Sequence, residues 1–194
     1  MTVLVISAGC IATNHSADNP TIDEAYLEEI SFQHTSYDTI EVDESVDIGI
    51  TTIDITMQSH INIYSSTTAE SLDMIAVLAV PTETVLGQTI NPLDILPNDL
   101  LFDKISDEIT HDGELHIDDA HDTRTTTIDN QNTDITIHNM VFESNSGHTI
   151  EGIYITGEVM INDTILNINA ITTGYSTDDI ESLLQNITLT SDHP

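Results

Sequence analysis

The chain has 194 residues, the length of a single domain, and sets 34 Asp and Glu against 2 Lys and Arg for a formal net charge of −32. With no basic face to displace counterions, it is excluded as a nucleic-acid binder that reads phosphates by charge. It also lacks the Lys/Arg clusters that grip anionic lipid. A hydrophobic fraction of 39 % supplies a core, so the charge points to a domain that folds where repulsion is screened by concentrated salt.

In chain order, Leu4 to Gly9 form a short apolar run closing on small residues before Cys10, the one cysteine, so no intrachain disulfide can form. This pattern resembles a lipobox, in which the thiol accepts a diacylglyceryl group and the leader is cleaved. Only nine residues precede Cys10 and none is basic, so residues 1–10 read as the remnant of a signal peptide. The polar stretch 11–21 reads as a flexible tether, and residues 22–190 as a single domain. Ile22 to Ile30 reads as a short helix or turn. Alternating apolar residues then predict a hairpin of Ile40–Ile50 with Ile53–Tyr64, its phase broken near Gly49–Thr52. The continuous run Met74–Val80, stopped by Pro81, predicts a central strand buried on both faces. After a connection rich in Gly and Pro, Pro97–Ile109 fits an amphipathic helix. A His/Asp-rich loop follows, then a hairpin of Thr123–Ile128 with Asp134–Phe142, two strands at Thr149–Ile161 and Thr164–Thr172, and a last helix capped by Ser176 or Thr177.

This order predicts an α+β fold, a mostly antiparallel twisted sheet with helices packed against it, and it resembles the PsbP/LpqN-like arrangement. The near absence of Lys resembles proteins of extreme halophiles, haloarchaea above all. From Ile30 to Thr188 the chain is similar to a haloarchaeal lipoprotein family of unknown function. The resemblance is carried by Tyr37 before an acidic strand, the hairpin ending at Tyr64, Ala76–Pro81 followed by Val85-Leu86-Gly87, Asn91-Pro92-Leu93, the hairpin around Asp129, and Ile180–Leu184. It implies an exported protein, lipid-anchored through Cys10 at the outer face of the cell membrane. Members typically begin with a twin-arginine leader, which would supply the basic region missing ahead of Cys10, and the family brings no catalytic residues.

Three Asn-x-Ser/Thr triplets, at Asn14, Asn162 and Asn186, are glycosylation candidates that suit an exported chain. His111, His116 and His121 stand five residues apart among acids and form a candidate metal set; spacing of five fits neither a helix face nor a strand face, and a solvated acidic loop with His as polar filler explains them better. No nucleophile elbow, phosphate loop or dinucleotide fingerprint is present. The absence of Trp and an aromatic content of 4 % disfavour a stacking platform. Tyr64, Tyr154 and Tyr175 read as closing the ends of the sheet. The expected function is a non-catalytic surface lipoprotein, a binding or interaction domain for a protein or small-molecule ligand, with no cofactor. The alternative is a metal-binding module or metal-dependent hydrolase using His111, His116 and His121.

Overall fold

Period-two alternation dominates this chain, and the computed structural model, which describes residues 11–48, 51–68, 71–85, 88–90 and 113–190, turns it into long strands. Strands β1 (Ile11–Ser16) and β2 (Asn19–Ile22) precede a six-residue helix α1 (Glu24–Glu29) capped by the Asp23 carboxylate. Next come β3 (Phe32–Ile48), β4 (Thr51–Ser66), β5 (Met74–Pro81), β6 (Glu83–Val85) and β7 (Gln88–Ile90). The remainder is β8 (Gly113–Ile128), β9 (Gln131–Ser144), β10 (Thr149–Ile161), β11 (Thr164–Thr172), an eight-residue helix α2 (Thr177–Leu184) and β12 (Ile187–Thr190).

Eight strands make one sheet. β3 pairs with the whole of β4; the other edge of β4 is shared, its first half with β1 in parallel and its second half with β5 antiparallel. From β5 the sheet continues antiparallel through β11, β10, β9 and β8. β12 and β2 form a separate ribbon, and β6 pairs with β7. The expected α+β class is therefore corrected: the fold is predominantly β, a large mixed sheet whose described residues include two short helices. Two misread segments explain the difference. Residues 11–21, expected as a tether, hold β1 and β2; residues 113–122, expected as a loop, are the first half of β8. The helix expected over 97–109 lies outside the described residues.

β5 occupies the position its sequence implied. Ile75 to Val80 are at most 2 % exposed, because β4 and β11 flank the strand and each face carries its own cluster. One face joins Ile75, Val77 and Ala79 to Ile155, Ile168 and Leu166, and to Leu27 of α1, Leu183 and Leu184 of α2, and Ile187 of β12. The other joins Ala76, Leu78 and Val80 to Ile61, Ile63, Met140 and Ile171. Local chemistry sets the turns. Asp129 and Asn130, both at positive φ (42° and 65°), form the two-residue β8–β9 connection, whose backbone twist matches the strands it joins. Gly152 has no room for a side chain, since a Cβ there would lie 2.4 Å from the Thr172 carbonyl. α2 begins with a reciprocal cap between Ser176 and Asp179, whose carboxyl these hydrogen bonds hold below its ordinary value. Arg124 of β8 reaches Asp178 (2.8 Å) and Glu181 (3.2 Å), tying the edge strand to α2. The buried Asp73 carboxylate accepts from the Thr172 hydroxyl and from the amides of Thr173 and Gly174, fixing the end of β11 beside the start of β5.

Candidate functional site

On the face of β4 that meets β2 and α1, the run His60, Asn62, Tyr64 places three polar rings and amides in a row, at i, i+2 and i+4. All three residues are buried, and β3 lies opposite, with His34 facing Tyr64, Tyr37 facing Asn62 and Thr39 facing His60. His34 and Tyr37 are three residues apart and would point to opposite faces of a regular strand. A bulge between His34 and Ser36 adds one residue on β3 and brings both onto the same face.

The amide of Asn62 is fixed from both ends. Its nitrogen donates to Asn19 Oδ1 (2.7 Å) and to the Pro20 carbonyl (2.9 Å), which leaves its oxygen to accept from His34 Nε2 (2.9 Å). Since that oxygen can only accept, the His34 proton sits on Nε2. Tyr64 donates to the same Pro20 carbonyl (3.3 Å), and its ring lies 5.2 Å from that of His34. A second chain of bonds runs beside this one. Thr39 Oγ1 donates to the Tyr37 hydroxyl (3.2 Å), which lies 2.8 Å from His60 Nδ1; His60 Nε2 lies 3.2 Å from Ser16 Oγ, which donates to Gln58 Oε1 (3.2 Å). The Tyr37 and His60 rings lie nearly parallel, at 19°, and meet edge to edge through the hydroxyl–Nδ1 bond with centroids 5.8 Å apart, and Tyr37 is 49 % exposed.

These groups line a cleft of about 400 Å³ between β2–α1 and β3–β4, with Asn19, His34, Tyr37, Asn62 and Tyr64 on its walls and Glu24 also contributing to its lining. Ser16, at the far end of the second chain, opens on another cleft of about 370 Å³ shared with Asn14, Asp18, Thr82 and Asn162. The Tyr37–His60–Ser16 relay thus joins two concavities through the sheet edge where β1 enters.

Burial pushes the Tyr64 phenol up to about 12, and does the same to Tyr154, which bonds Asn169 beneath the opposite face. A folded-state value above the ordinary 10 means that the native state holds its phenol protons longer than the unfolded chain. Stability is then fully present below pH 10 and lost as pH rises toward 12, by about 2–3 kcal/mol per residue. An ultraviolet tyrosinate titration should show two of the five tyrosines ionising near pH 12, together with unfolding. Ionisation of all five in one step near pH 10, with the fold intact, would contradict the buried positions.

The residues expected from sequence fall elsewhere. Cys10 and His111 lie outside the described residues. His116 is exposed on β8, and His121 is exposed beside a second bulge in the same strand, between Ala120 and Asp122. Among the described residues no three His, Cys, Asp or Glu gather as metal ligands. Asn14 and Asn162 are exposed and line one cleft, whereas the half-buried Asn186 donates its amide to the Ser182 carbonyl (2.8 Å). Tyr175 ties its hydroxyl to the Ile30 carbonyl (2.6 Å), joining the loop before α2 to the end of α1. Sequence reading passed over His34, His60, Asn62, Asn19 and Ser16. The visible signal was the polar phase of β4, since His60-Asn62-Tyr64 alternates with Ile61 and Ile63.

A family model matches residues 19–157, which span β2 to the middle of β10 and so include the cleft. The chain belongs to the family described as Domain of unknown function (DUF6517). No curated protein matches it. Among solved structures, it is similar to the solution structure of cyanobacterial PsbP (CyanoP) from Synechocystis sp. PCC 6803, with 8 % identity, a TM-score of 0.35 and 97 % of each chain covered.

Proposed function

We propose that this chain is a non-catalytic binding domain of an exported lipoprotein of an extreme halophile, held outside the membrane by lipid on Cys10, and that its family is one of haloarchaeal lipoproteins. The observation that carries the binding reading is the cleft at Asn62. Its polar groups are held in single orientations before any ligand arrives, and this lowers the ordering penalty of binding. The groups there also suit holding better than proton transfer. The Asn62 carboxamide is neither a useful acid nor a useful base, Tyr64 stays neutral up to about 12, and the His34 Nε2 proton is committed. The address rests on Leu4–Cys10 and on the excess of carboxylates.

One experiment with two arms tests this. In molar potassium chloride, amide and side-chain shifts of the labelled chain are followed against quaternary ammonium salts, mono- and disaccharides and free amino acids. Shifts confined to His34, Tyr37, Asn62 and their neighbours are expected for one class; a flat response to every class removes the binding reading. In the second arm, Cys10→Ser in the full-length gene should release the protein into the medium, and unchanged membrane retention removes the anchor.

A further inference from the structure

Resting on that binding reading, we infer that the cleft takes a small organic cation of the quaternary ammonium class, seated against the open side of the Tyr37 ring. Hydrogen-bond saturation points there first. Both amide hydrogens and the oxygen of Asn62 are used internally, the Pro20 carbonyl already accepts from Asn62 and Tyr64, and the Tyr37 hydroxyl is engaged by Thr39 and His60. A sugar, which must replace many water contacts, would find few partners left, and unpaired polar groups are penalised heavily. A quaternary ammonium ion has no N–H to satisfy and needs only surfaces and charge.

The cleft supplies both. Tyr37 meets His60 at its hydroxyl edge and is nearly half open to solvent, which leaves its ring face available, and the tilted His34–Tyr64 pair adds a second aromatic wall. Composition disfavoured an aromatic platform, yet the bulge assembles one from rings that are scattered in the sequence. The lining contains one carboxylate, Glu24, and no Lys or Arg, so its field favours a cation and opposes an anion. At molar salt the screening length is about 3 Å, which weakens the carboxylate more than the close ring contact. Tyr37 should therefore matter more than Glu24.

The probes are tetramethylammonium, choline, and 3,3-dimethyl-1-butanol as the neutral carbon analogue of choline. Binding is read from the Asn62 side-chain amide and the His34 ring resonances, which are present in the parent and in every variant, in the full chain in molar potassium chloride. Both cations should bind, and the neutral analogue at least about tenfold more weakly. Tyr37→Ala should weaken tetramethylammonium about tenfold, Tyr37→Phe should restore it, and Glu24→Gln should change it by about twofold or less. Equal binding of choline and its neutral analogue overturns the inference, as does unchanged affinity in Tyr37→Ala. Saccharides that shift the cleft where ammonium ions do not overturn it while leaving the binding domain standing, whereas silence from every class removes both.

Discussion

Val77→Asp should yield no folded protein at any salt concentration, while Met160→Asp, on the neighbouring sheet surface, should fold as the parent does. Val77 is 0 % exposed at the centre of β5, opposite Asn62 on β4 and Ile168 on β11. The substitution forfeits about 1.5–3 kcal/mol of side-chain burial and adds an uncompensated charge. Asn62 cannot rescue it, because both of its amide hydrogens are committed to Asn19 and Pro20. The total passes the roughly 4–5 kcal/mol that marks exceptional substitutions, against a whole-domain stability of about 5–15 kcal/mol. Met160 is 57 % exposed, and a carboxylate there stays hydrated. Circular dichroism after refolding in molar salt measures both, and equal unfolding midpoints would mean that β5 is not buried on both faces.

Lowering salt should be the second large effect. The wet face of the β3–β4 hairpin carries Asp43 and Asp54, and neither pairs with a cation among the described residues. The Thr56 hydroxyl donates to Asp43 and the Ser45 hydroxyl to Asp54, each at 2.7 Å; Thr125 does the same for Asp134 across β8–β9 at 2.7 Å. A hydroxyl satisfies a carboxylate's lone pair but leaves its charge. Asp43 and Asp54 sit diagonally across the ladder, a separation of about 7–8 Å. That exceeds the screening length of about 3 Å at 1 M salt and falls inside the roughly 10 Å at 0.1 M. Dialysis from molar to dilute potassium chloride should therefore abolish the near-ultraviolet dichroism. The double variant Asp43→Asn, Asp54→Asn should fold at a lower salt concentration than the parent. An unchanged salt midpoint would mean that salt acts by strengthening apolar burial instead of by screening these carboxylates.

Much of the sheet was written locally. Six of the seven residues of Met74–Val80 are essentially inaccessible, as a continuous apolar run of strand length stopped by Pro81 implies. Asp129-Asn130 tolerates positive φ and so marks its hairpin, and Ser176 with Asp179 marks the start of α2. The α+β expectation failed because polar strands carry weak local signals. β1 is held by a parallel ladder to residues 53–58, some forty positions away, and the first half of β8 by its pairing with β9 through two bulges. The cleft failed to show for the same reason. Sequence alone set the polar phase His60, Asn62, Tyr64, but which residues of β3 would face it depended on one extra residue between His34 and Ser36. A bulge is chosen by the register of the whole ladder and by what both faces must bury, so no local window contains it. Period and turn chemistry were therefore determined by the sequence itself, whereas the meeting of His34 with Tyr37, and with it the cleft, was decided only when the long strands paired.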